Sequence, residues 1–364
     1  MNENMSIYKP DWREAKQRMR DWWVGEKVDR VIAKITAPIP PQTELRSTKF
    51  VSDVPGKYID PEIVFNNLDY GLERTFWGGE AFPFHFVYLG PMFSLAWLGC
   101  KPNFMPDTTW YAPCYKNLDD LSENFNFDSN NEWWQLQKKI ISLSAQRSKG
   151  RYLTTQGGIS SIIDIIAGLI GEENLLIAMM EEPEKLKAIR DKIAKLGVTT
   201  FEETCKATNA KTLGYIDWMG VWSDKKLRTN QCDICVMFSP EMFRDFVLED
   251  LESTYECLER GIYHLDGEEQ IRHLDVLLKI DKLKVIQWVP SFRMNQPEYR
   301  DPLNWLELFK RIQNSGKSVI ITTPPERVSE LLGKIDRRKT ILNIGCPDAE
   351  TANKVLSSLD KIGT

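Results

Sequence analysis

Short runs rich in β-branched residues alternate with amphipathic helical stretches along most of this chain, and that alternation leaves few folds open. Parallel strands cannot be joined by tight turns and need crossover helices, so the repetition implies a mostly parallel sheet covered by helices. Strands are expected at 28–37 (VDRVIAKITA), 85–90 (HFVYLG), 151–156 (RYLTTQ), 212–217 (TLGYID), 261–266 (GIYHLD), 283–288 (LKVIQW), 318–322 (SVIIT) and 340–344 (TILNI). Between them, apolar residues recur at helical spacing. Trp12, Ala15, Met19 and Trp22 mark a first helix, and others are expected over 131–147 and around Leu186, Ile189, Ile193 and Leu196. Ser239-Pro240-Glu241 carries an N-cap serine and a first-turn proline, opening a helix to about Arg260. Eight strand–helix units predict an α/β fold, a single (β/α)8 TIM barrel, with an N-terminal helix and rim insertions near 40–80 and 100–130. A length of 364 residues fits one such barrel domain over 1–364, because this architecture routinely passes 250 residues as one unit. No G-x-G-x-x-G follows the first strand, so no nucleotide cofactor is expected.

Composition narrows the partners. A net charge of −5 argues against a nucleic-acid surface, since phosphate binding needs a basic patch. The N-terminal residues show neither an apolar core nor a cleavage site of the secretory kind. The most apolar run, 159–171, is broken by Ser160, Ser161 and Asp164 and is too short to span a bilayer. Seven scattered cysteines fit free thiols in a reducing cytoplasm better than a disulfide framework. A cytoplasmic protein without a membrane partner is therefore expected.

In barrels of this kind the chemistry sits at the C-terminal ends of the strands. That rule singles out Gln156, Asp217, Trp218, His264, Asp266, Gln287, Trp288, Thr323 and Cys346. His264 and Asp266 lie two apart, so a strand presents their imidazole and carboxylate on one side. Such a pair suits metal ligation or acid/base work; Asp266 is equally suited to capping a following helix, and His264 to the core. Cys346 precedes the helix opened by Pro347-Asp348, where the dipole favours thiolate, although free cysteines are usually buried apolar groups. Trp218, Trp222 and Trp288 form a candidate aromatic wall for apolar groups, sugars or quaternary ammonium ions, or else pack between sheet and loops. Arg293 and Tyr299 can meet a substrate carboxylate, or remain solvated. Cys232-x-x-Cys235 has redox or zinc spacing but no second pair, and His85 and His273 read as structural.

Several segments together resemble the uroporphyrinogen decarboxylase superfamily. The carriers are the helix before VDRV, LGPMFSLAWLG at 89–99, SPEMFRDFVL at 239–248, YHLDG at 263–267, and Gly345-Cys346. Within that superfamily the pattern looks nearest the corrinoid-linked, zinc-dependent methyltransferases. The resemblance implies a (β/α)8 barrel moving a methyl group between a small substrate or thiol and a corrinoid or folate carrier. It also implies a corrinoid protein as partner, and zinc held by His264, Asp266 and Cys346. Asp266 stands where such enzymes have a cysteine, which replaces a soft thiolate with a harder carboxylate. The decarboxylase branch's arginine-rich MRQAGR motif has no counterpart, the matching region reading ITAPIPP. Two other readings stand beside methyl transfer: a metal-free decarboxylase or lyase using His264 and Asp266, and a non-catalytic barrel that holds a ligand or a corrinoid protein. Asp217 is expected to join the catalytic pair, with Trp218, Trp222, Gln287, Trp288, Arg293 and Tyr299 binding substrate.

Overall fold

A computed structural model describes residues 7–40, 54–159, 161–290 and 296–363. Its strands are β1 (Ile32–Pro38), β2 (Thr75–Gly79), β3 (Phe84–His85), β4 (Pro102–Phe104), β5 (Thr109–Tyr111), β6 (Leu153–Thr154), β7 (Tyr215–Ile216), β8 (Trp222–Ser223), β9 (Leu227–Asn230), β10 (Arg260–Asp266), β11 (Leu283–Val289), β12 (Ser318–Thr322) and β13 (Thr340–Gly345). A seven-stranded sheet runs β2-β1-β13-β12-β11-β10-β9. All its neighbours are parallel except β2, which lies antiparallel on β1. The strands β3 and β6 form a separate parallel pair, and β4–β5 and β7–β8 are antiparallel hairpins.

The result is a mixed α/β fold with a dominant parallel sheet, as the strand–helix alternation implies. Val285, Ile286, Val319, Ile320, Ile321, Ile341 and Leu342 are buried on successive positions, so both faces of the sheet are covered. Each such side chain contributes about 1.5–3 kcal/mol on leaving water. Among the described residues, no ladder joins β2 to β3 or β6 to β9, so the hydrogen-bonded sheet is an arc.

Three expectations need correction. The segment 212–217 is not a parallel strand: it holds a short helix, Ala210–Leu213, and β7, which turns back on β8. The strand beside β10 is β9, LRTN, whose single apolar residue gives no period for sequence reading to find. The region 40–80 is more than a rim insertion, because β2 extends the main sheet. That edge is held by charge: buried Glu80 accepts from Arg30 at 2.9 and 3.0 Å, from Arg18 at 2.8 Å and from the Ala33 N–H at 2.9 Å. The insertion expected in 100–130 contains the hairpin β4–β5. Ser239 caps as expected, accepting from Met242 N at 3.2 Å, but the helix it opens widens to a π-turn over Phe243–Leu248 and ends at Glu256. No helix among the described residues is long and apolar enough to cross a membrane.

Candidate functional site

A cavity of about 500 Å³ opens past the C-terminal ends of β3, β6, β7 and β9, with His264 of β10 in its wall. Its apolar lining includes Phe86, Tyr88, Phe93, Trp97, Phe201 and Trp218, and its polar lining Gln137, Gln156, Asp164, Asp217, Arg228 and Asp233. Dominantly apolar walls with a few placed polar groups are the usual form of a small-molecule site.

Strand register builds the centre of this site. His264 stands beside Gln287 across β10 and β11, and their side chains project to the same side of the sheet. The His264 Nδ1 is consequently hydrogen-bonded to Gln287 Oε1. On the other ring nitrogen, Nε2 lies 3.8 Å from Asp266 Oδ2, an electrostatic contact rather than a hydrogen bond. Trp218 meets the imidazole edge-on, with centroids 5.3 Å apart and an 80° interplanar angle. Burial alone lowers the His264 pKa; Asp266, Gln287 and the charge of Asp233 outweigh it, and the net shift is upward. Asp266 does not cap, since the turn beginning at Glu268 has no side-chain cap and Gly267 enters it at φ +94°.

Asp164 is the acid that sequence reading passed over, noted only as a break in an apolar run. It sits on the helix Ile162–Ile170 and accepts the N–H groups of Asp233 at 2.9 Å and Ile234 at 3.0 Å. Burial first, and then the neighbouring Asp233 charge, push its carboxyl up to about 8. The Asp233 carboxyl is also raised, by desolvation first and by Asp266, with His264 opposing. Two further wall atoms are buried without a hydrogen-bond partner among the described residues: Gln137 Oε1 and Trp97 Nε1. Gln137 was legible only as part of the helical stretch 131–147 and Trp97 only within the resemblance segment 89–99, and neither signal distinguishes a cavity wall from a core.

The remaining expected residues divide by position. Asp217 lines the cavity but is engaged, accepting from Val221 N at 2.9 Å and bonding Thr229. Lys34, buried and pulled down to about 8 by that burial, donates to Met219 O beside it. Gln156 spans β6 and β7, donating to Thr154 O at 3.0 Å and accepting from Ile216 N at 3.2 Å. Trp222 does not line the cavity: its ring packs against Phe82 and under Lys16. Trp288 alternates to the opposite side of β11 from Gln287 and packs on Trp305 at 4.8 Å. Tyr299 also packs on Trp305, at 6.3 Å, outside the cavity wall, and Arg293 lies outside the described residues.

Cys346 is buried just past β13, its N–H donating to Thr36 O at 2.8 Å, and its thiol is raised by burial and then Asp348. Two strands, β11 and β12, separate β13 from β10, and at about 4.8 Å per strand step the span along the sheet is roughly 14 Å. Among the described residues, no three His, Cys, Asp or Glu side chains are gathered as metal ligands. His264, Asp266 and Cys346 are therefore not gathered as one ligand set in this arrangement.

No protein-family model matches the chain, and no curated protein matches its sequence. Its fold is similar to that of a methyltransferase. That protein, a methyltransferase from Methanosarcina mazei, superposes with a TM-score of 0.61 over 96% of this chain and 98% of the other, at 13% identity.

Proposed function

We propose that the chain is a methyltransferase, moving a methyl group between a small substrate or thiol and a corrinoid or folate carrier. In this reading the sheet and the β3–β6 pair are arcs of one (β/α)8 barrel domain of the uroporphyrinogen decarboxylase-like kind. The observation that carries it is His264, oriented by Gln287 and Trp218 in the wall of an apolar cavity at the strand ends. Full-length likeness to a methyltransferase fold supports the class.

The residues divide the work by chemistry. Gln287 Oε1 accepts from Nδ1–H, which leaves the Nε2 lone pair of neutral His264 as proton acceptor. Methylating a thiol forms an S–C bond as the methyl–carrier bond breaks, its electron pair staying on the carrier, and releases the thiol proton, which His264 takes while Asp266 and Asp233 stabilise the imidazolium. In the reverse sense the protonated ring supplies a proton to the leaving heteroatom. The mostly apolar lining, with Gln156, Asp164, Asp217, Arg228 and Asp233 as its polar groups, suits a small apolar or aromatic molecule bearing few polar groups. No step passes through a metal.

A proton-transferring lyase on the same residues is the second reading, favoured by Asp164, an acid pushed up to about 8 in the same wall. The test uses methylcobalamin as carrier probe with a panel of small thiols, followed by absorbance, with and without chelator. Turnover that survives chelation and falls about 10²- to 10⁴-fold in His264→Ala is expected. An unchanged rate in that variant would overturn the reading, and tight binding without turnover would show a non-catalytic barrel.

A further inference from the structure

Cys100 and Cys114, on either side of the β4–β5 hairpin, have no part in the chemistry above. Their sulfurs nevertheless face each other at 2.8 Å, fourteen residues apart. That is about 0.8 Å beyond disulfide bonding distance. Cys114 is exposed and Cys100 is buried behind it. The pair also sits at a junction of the cavity walls. Cys100 N donates to Leu95 O at 3.0 Å, ending the helix Ser94–Trp97, which contributes Ser94 and Trp97 to the cavity. Cys114 N donates to Leu169 O at 3.1 Å, on the helix Ile162–Ile170 that carries Asp164. Between them, Thr109 of the hairpin donates to Leu89 O at 3.4 Å, on the cavity rim.

We propose that Cys100 and Cys114 form a reversible disulfide site, closed by a low-molecular-weight disulfide such as glutathione disulfide, that bolts the hairpin and two cavity walls together. Exposed Cys114 is the entry point: its thiolate attacks one sulfur of the reagent, forming a mixed disulfide and releasing one thiolate. Cys100 then gives up its proton and attacks the Cys114 sulfur, and the second reagent thiolate departs with that proton. Two protein thiols and one disulfide become one protein disulfide and two free thiols. The hydrogen bond from Cys100 favours the thiolate of Cys114, lowering its pKa against the effect of burial.

The test treats the reduced full chain with glutathione disulfide, blocks free thiols, and reads intact mass, peptide map and melting temperature. Loss of two hydrogens, a peptide joining Cys100 to Cys114, reversal by dithiothreitol and a melting temperature raised by about 4 °C are expected. The exposed-site variant Cys114→Ser retains its fold, as its own melting curve will show, and should neither bridge nor gain that increment. Finding Cys114 arrested as a glutathione adduct, a bridge confined to the buried Cys232–Cys235 pair, or no oxidation at all would overturn the proposal.

Discussion

Replacing Asp266 by Asn removes a charge from His264 while keeping the side chain's shape, and the consequence can be worked from one distance. The carboxylate lies 3.8 Å from Nε2, and its side chain is 40% exposed. Coulomb attraction at that separation is about 1 kcal/mol in water. Pairs this open to solvent measure about 0.2–1 kcal/mol. With about 1.4 kcal/mol per pKa unit, Asp266→Asn should lower the His264 pKa by about 0.1–0.7 unit. The measurement is an NMR titration of the imidazole C–H resonances, with His264→Ala assigning the signal. His85 will not interfere, because burial pulls it down to about 4. Stability gives an independent reading. A histidine whose folded pKa is raised stabilises the protein fully below its unfolded pKa, near 6.5, and the gain vanishes as pH rises through the folded value. The deficit of Asp266→Asn should therefore be present at about pH 6 and absent well above the folded pKa of His264. An unmoved or higher His264 pKa would refute the electrostatic assignment and, with it, the role of Asp266 in holding the imidazolium.

Two further perturbations probe the frame around the site. Gly90 adopts φ +114°, and a Cβ there would sit 2.2 Å from Thr109 Oγ1, so Gly90→Ala should destabilise by about 2–3 kcal/mol in urea unfolding. Asp164 has its folded pKa raised to about 8, so the native state holds a proton that the unfolded chain releases, and stability should fall as pH rises from about 4 to 8. Asp164→Asn should flatten that slope in urea midpoints taken at about pH 5 and pH 8, at the cost of about 1 kcal/mol for one lost acceptor; an unchanged slope would count against a buried, protonated acid.

Periodicity carried the α/β class, the first helix, and the strands β10 to β13, because fully buried parallel strands read as continuous apolar runs. The pairing of His264 with Asp266 on one side of a strand was equally legible, since alternation is local geometry. Local pattern could not find β9, a buried strand written LRTN, nor tell that 212–217 turns back on itself. It could not choose among tryptophans either. Trp218 reached the cavity, while Trp222 and Trp288 were taken into packing by residues distant in sequence. The chain's own order thus determined which elements form and which faces are apolar. Only tertiary structure decided that Gln287 orients His264, that Asp164 is an acid near neutrality, and that Cys346 stands apart from them. Register, burial and the distance across a sheet are relations between segments, and no single segment encodes them.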